Sequence, residues 1–129
     1  MSSLFALSDD QLRTTAMQAL EAARALGASD AAAEISESVG LSVSTRRAQV
    51  ETIEHTRDKG LGITVYIGTR RGNASTSDLT PAAIRQAVEA AYNIARYTAE
   101  DPAAGLPDDE LLERAPRDLD LFHPWQLEV

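Results

Sequence analysis

Cysteine is absent from this 129-residue chain, which excludes a disulfide framework and a thiolate zinc site and favours a reducing, intracellular setting. Long apolar runs are also missing. No stretch approaches the roughly 20 residues needed to cross a bilayer, and Met1 to Leu7 lacks the basic start and apolar core of a signal peptide. A cytoplasmic protein without membrane contact is expected. There is no basic excess either, the formal net charge being -8, so direct nucleic-acid binding is not expected. The only histidines are His55 and His123, and neither sits in an H-E-x-x-H or H-E-x-x-x-H pattern. Gly60, Gly62 and Gly68 do not match G-x-G-x-x-G, and Ser75-Thr76-Ser77 lies in no G-x-S-x-G elbow.

What is present is enough apolar material, 43% of residues, for one compact domain and an appendage. The charge divides the chain accordingly. Residues 99–129 carry nine acids against Arg114 and Arg117, a net of -7, leaving -1 for residues 1–98. The division predicts an α+β domain over 1–98, followed by an acidic linker and docking segment over 99–129.

Ser8-Asp9-Asp10-Gln11 reads as a capping box, and Leu12, Ala16, Ala19, Leu20, Ala23 and Leu26 recur at helical spacing until Gly27 stops the helix. From Glu34 the period changes to two. Ile35, Val39, Leu41 and Val43 alternate with serines, predicting a strand with one wet face. A turn near Arg46-Arg47-Ala48 leads to a second strand, Gln49 to Arg57. Asp58-Lys59-Gly60 reads as a turn into a third, Leu61 to Ile67, and Gly68 to Gly72 as a turn into a polar fourth, Asn73 to Ser77. Thr80-Pro81 starts a second helix running to about Tyr97, with Ile84, Ala87, Val88, Ala91, Ile94 and Ala95 on its apolar stripe. The expected fold is therefore a two-layer α+β domain in α-β-β-β-β-α order, an antiparallel four-stranded meander with two helices packed on one face. Beyond Pro102 come linker residues and an apolar group, Leu119, Leu121, Phe122, Trp125 and Leu127, expected to dock on something.

Three features carry candidate chemistry. In a four-stranded meander the first and third turns share an end, so Arg46-Arg47 and Arg70-Arg71 are expected to cluster as a surface for an acidic partner. The polar strand, with Asn73, Ala74, Ser75, Thr76 and Ser77, is expected at a sheet edge, where it could add an extended peptide by main-chain hydrogen bonds. The third feature, Glu51-x-x-Glu54-His55-x-x-Asp58, offers metal ligands only if strand residues converge, and a solvated strand face is the simpler reading. No catalytic or metal residue is assigned.

The blocks Gly40-Leu-Ser-Val-Ser-Thr-Arg46, Val50-Glu-Thr-Ile-Glu-His55, Asp58-Lys-Gly-Leu-Gly-Ile-Thr-Val-Tyr66, Ala74-Ser-Thr-Ser-Asp78, Asn93-Ile-Ala-Arg-Tyr97 and His123-Pro-Trp125 together resemble the N-terminal domain of the TldD/PmbA family, PmbA (TldE) type. The resemblance implies part of a cytoplasmic two-protein metallopeptidase acting on unfolded or modified peptides. It implies that zinc belongs to a TldD-type partner subunit, so that this chain holds no cofactor, is inactive alone, and contributes to dimer assembly and a peptide cleft. It also implies an alternative, a regulatory protein-binding module linked to DNA gyrase or toxin–antitoxin control. A self-sufficient hydrolase using His55 with Glu51 and Glu54 is a further rival.

Overall fold

Ser8 opens the first helix, α1 (Asp9–Leu26), through the reciprocal pair its sequence encodes. The Gln11 amide donates to Ser8 Oγ at 3.2 Å, and the Ser8 amide donates to Gln11 Oε1 at 2.8 Å. Two orphan helix donors are thereby satisfied. At the other end Gly27 takes a φ of 95° and donates to Ala23 and Arg24 carbonyls, a left-handed stop that glycine makes without strain. The computed structural model describes residues 4–124.

Three strands follow, β1 (Asp30–Arg46), β2 (Gln49–Ile67) and β3 (Arg70–Thr76), forming an antiparallel sheet in the order β1-β2-β3. Among the described residues the sheet has three strands and not the expected four, because the expected second and third are one. Gln49 to Arg57 and Leu61 to Ile67 belong to one 19-residue strand, and Asp58-Lys59-Gly60 passes straight through, paired with Ser38, Glu37 and Ser36. The order is α-β-β-β-α. The reason is long-range pairing: β1 is 17 residues long, and a continuous partner satisfies its backbone groups where a local turn would have left half of them open. Alternation also keeps its phase, since Arg57, Lys59 and Leu61 share one face while Asp58, Gly60 and Gly62 share the other.

The second connection is likewise tighter than its sequence suggested. Only Gly68 and Thr69 turn, with Gly68 at a φ of 61°, and Arg70 to Gly72 already lie in β3. The last helix, α2 (Pro81–Tyr97), begins where the Thr80 hydroxyl accepts the Ala83 amide and proline occupies the first turn. Proline costs nothing there because that amide has no helical partner.

Both helices pack on the face carrying Leu61, Ile63 and Val65. The core joins these to Ala19 and Ala23 of α1 and to Ile84, Ala87, Val88, Ala91 and Ala95 of α2. Ile94, expected on the buried stripe, is half-exposed. Gly72 is buried beneath α2, where a Cβ would overlap the Ala91 carbonyl and approach the Ala95 amide nitrogen to 2.5 Å. A bare backbone lets the helix lie directly on β3.

β3 pairs only with Leu61 to Ile67. Beyond it the sheet narrows to two strands, and from Glu37 and Lys59 to the Arg47-Ala48 turn this ribbon extends roughly 30 Å at about 3.4 Å per residue. No described helix is long and apolar enough to cross a membrane. Among residues 99–124 the Asp101 amide donates to the Thr69 carbonyl at 3.0 Å, Asp109–Leu111 forms a short 3-10 turn, and the Phe122 ring lies 6.0 Å from that of Phe5. Trp125 and Leu127 of the expected docking group lie outside the described residues.

Candidate interaction edges

The long β2 sends the arginines of the two turns apart. Arg46 and Arg47 sit at the tip of the ribbon, and Arg70 and Arg71 at the opposite end of the sheet, with roughly 60 Å of strand between them at about 3.4 Å per residue. The expected cluster of four guanidinium groups is therefore not formed. Adjacent turns of a meander point to opposite ends, and with one strand fewer these two turns are adjacent.

Each pair is held differently. Arg46 Nη1 lies 3.6 Å from Glu51 Oε1, with both side chains largely in solvent, a geometry that contributes little. Arg47 and Ala48 have φ values of 53° and 62°, the left-handed pair of a type I′ turn, which usually recruits asparagine and glycine. Arg70 is committed inward: Nη1 donates to the Arg96 carbonyl at 3.0 Å, and Nη2 lies 3.7 Å from Glu100. It covers a carbonyl left over at the C-terminal end of α2.

The polar strand is an edge, as expected, although it runs Arg70–Thr76 and leaves Ser77 in the bend beyond. Arg71, Asn73 and Ser75 are exposed on the sheet face away from the helices, and the Asn73 amide nitrogen donates to Thr64 Oγ1 at 3.2 Å. Asn73 and Ser75, with Ala32, Glu34 and Gly62, line a shallow trough. Ala74 faces the helices and packs on the core. Thr76 ends the strand: its hydroxyl accepts the Asp78 amide and donates to the Asp78 carbonyl, while Asp78 Oδ1 accepts the Thr80 amide. That last bond holds the Asp78 carboxyl below the usual aspartate range.

Of the possible metal ligands, His55 shares the helix-side face with Ile53 and Arg57, whereas Glu54 and Asp58 project to the opposite face and Glu51 pairs with Arg46. Among the described residues no three histidine, aspartate or glutamate side chains gather closely enough to hold a metal ion. The donors present do not fit a zinc site, because strand alternation divides them.

One further residue anchors the N-terminal segment. Glu37 accepts the amides of Ala6 and Leu7, both at 2.9 Å, and these bonds, aided by nearby Arg57 and Lys59, hold its carboxyl below the usual glutamate range. The signal was legible: Glu37 is a charge on the otherwise apolar phase of β1.

A family model described as PmbA/TldA metallopeptidase domain 1 matches residues 31–95, the sheet and almost all of α2. The chain belongs to this family. It is 52% identical over 104 residues to the metalloprotease PmbA of Escherichia coli, an alignment covering 80% of this chain and 23% of that protein. To the PmbA homologue of Haemophilus influenzae it is 43% identical over 128 residues, covering 99% and 28%. The chain thus spans about a quarter of the length of these PmbA relatives.

Two solved structures share the fold. A proposed modulator of DNA gyrase from Bacteroides thetaiotaomicron superposes with a TM-score of 0.76 at 22% identity, over 85% of this chain and 24% of that one. TldE from Thermococcus kodakarensis gives 0.67 at 14% identity, over 80% and 23%. The resemblance to the PmbA (TldE) type read from the sequence blocks agrees with these matches.

Proposed function

We propose that this chain acts as the N-terminal domain of the non-zinc subunit in a cytoplasmic PmbA-type metallopeptidase, contributing to dimer assembly and to a peptide cleft. The observation that carries this reading is the family match over residues 31–95, on a domain whose own possible ligands point to opposite faces of a strand. Zinc would be supplied by a TldD-type partner subunit, and the substrates would be unfolded or modified peptides. Residues 1–98 form the binding domain, and the acidic 99–129 segment links and docks it. Within it, β3 offers an extended peptide the open side of an edge strand, with Arg71, Asn73 and Ser75 beside it.

The test is hydrolysis of an unfolded substrate by this chain, by a full-length TldD-type partner and by their mixture, each with and without chelator. An inert chain that modulates chelator-sensitive cleavage by the partner supports the reading, while turnover by the chain alone overturns it. Consecutive amides of an edge strand alternate between the ladder and the open side, so Ala74→Pro and Ser75→Pro together test the peptide edge. Unchanged peptide binding in both counts against it. The name of the Bacteroides structure favours a second reading, regulatory binding to gyrase. Capture of purified gyrase in the absence of any zinc subunit would support it.

A further inference from the structure

The ribbon leaves one strand edge open in a way that specifies what fits it. β3 covers β2 only as far as Leu61, paired with Thr76, and the Thr76-Asp78-Thr80 hydrogen bonds then peel the chain away into α2. From Gln49 to Lys59, on the side that β3 vacates, every residue of β2 is exposed. β1 differs. Its Glu37, Val39, Gly40 and Leu41 are half-covered, and Glu37 draws the amides of Ala6 and Leu7 onto it.

An edge of this length is normally guarded by proline, a bulge or inward charge. The vacant stretch has no proline, and the one register shift of the ribbon falls at its tip, between Ser44 and Thr45. Its side chains are segregated by face. On the helix side lie Ile53, His55, Arg57 and Lys59, and on the other Thr52, Glu54, Thr56 and Asp58. From Thr52 to Lys59 one face is apolar to basic and the other hydroxylic to acidic, while Glu51, at the register shift, lies beside Arg46.

A second copy of this chain is the poorer match, because only a pairing centred on His55, which sets Glu51 against Lys59, brings opposite charges together without a like-charge clash. Two-fold antiparallel pairing of β2 with itself keeps the faces together, so a pairing centred on Thr56 sets the carboxylates of Asp58 and Glu54 against each other. Like charges directly opposite are destabilising.

We infer that the open edge of β2 from Gln49 to Lys59 receives an extended strand from a different protein, with acidic side chains on the helix side and basic or hydroxyl side chains on the other. Backbone hydrogen bonds continue the line of β3 along the ribbon, and the charge alternation sets the register. The inference rests on the edge and its charges alone and does not depend on the metallopeptidase reading.

The test uses the intact chain with two eleven-residue peptides of identical composition, one alternating glutamate and lysine and one with the same residues in two blocks, which cannot segregate by face. Affinity is read by calorimetry and location by amide hydrogen exchange. The alternating peptide is expected to bind at least about tenfold more tightly, as several cross-strand charge pairs imply, and to protect alternate amides between Gln49 and Lys59. Lys59→Glu, an exposed change, weakens it. Combining Arg57→Glu and Lys59→Glu with Glu54→Lys and Asp58→Lys restores binding, because the peptide shifts by one residue. Equal affinity for the two peptides, protection confined to β1 or β3, or a peptide-free dimer in ultracentrifugation with protection over these same residues would each overturn the proposal.

Discussion

Gly72 and Ala48 carry opposite lessons about small residues. At Gly72 the backbone itself contacts α2, and any Cβ must move the helix. Gly72→Ala is expected to cost about 3 kcal/mol, the upper part of the range for overpacking, measured as a lowered urea midpoint at unchanged slope. At Ala48 the φ of 62° is one that glycine adopts freely. Ala48→Gly should therefore stabilise the tip by about 1 kcal/mol, visible as slower amide exchange near Arg46 and Gln49. The sequence showed both positions as turn residues because glycine and polar neighbours are the common mark of a turn. Close approach of a helix leaves no mark in one chain's own residues.

The two helices were legible at the scale of elements because their determinants are local. Ser8 with Gln11, and Thr80 with Pro81, carry their own hydrogen-bonding instructions. The strands were legible in face but not in number. Asp58-Lys59-Gly60 has the composition of a turn, and only the register with Ser36 to Ser38 shows why it is not one. The continuous strand also relocates the candidate site, since a four-stranded meander brings the arginine pairs together and a three-stranded one parts them. Glu37 yields a prediction at this scale. Its carboxyl titrates lower in the folded chain than in the unfolded one, so its stabilisation is fully present above the unfolded value and is lost as pH falls through the folded one. Residues 4–7 are expected to detach as pH falls below the ordinary glutamate range, seen as sharpening of the Ala6 and Leu7 amide signals. Glu37→Gln should remove that pH dependence.

The whole molecule is a packed body bearing a thin ribbon. Every side chain of the core cluster comes from α1, α2 or the β2 residues Leu61 to Val65, and none from the ribbon between Ser38 and Asp58. Replacing that ribbon by a two-residue asparagine–glycine turn should leave a body that still unfolds cooperatively. Calorimetry would show one transition, with a melting temperature within a few degrees of the parent if the ribbon adds little to the core. A larger fall would mean that Leu41 and its neighbours contribute to the body after all. The charge division at this scale was legible as a count of acids. How residues 99–124 lie was not, because the Asp101 to Thr69 bond and the Phe5–Phe122 contact join parts distant in sequence.

The exposed Arg47-Ala48 tip also makes this chain divisible. Cutting there separates α1 and β1 from β2, β3 and α2, two pieces that each carry part of one core and share a ladder extending from Asp30–Tyr66 to Arg46–Gln49. Expressed apart, the two halves should find each other and rebuild the fold, so that reporter fragments fused at the tip would signal reassembly of the domain.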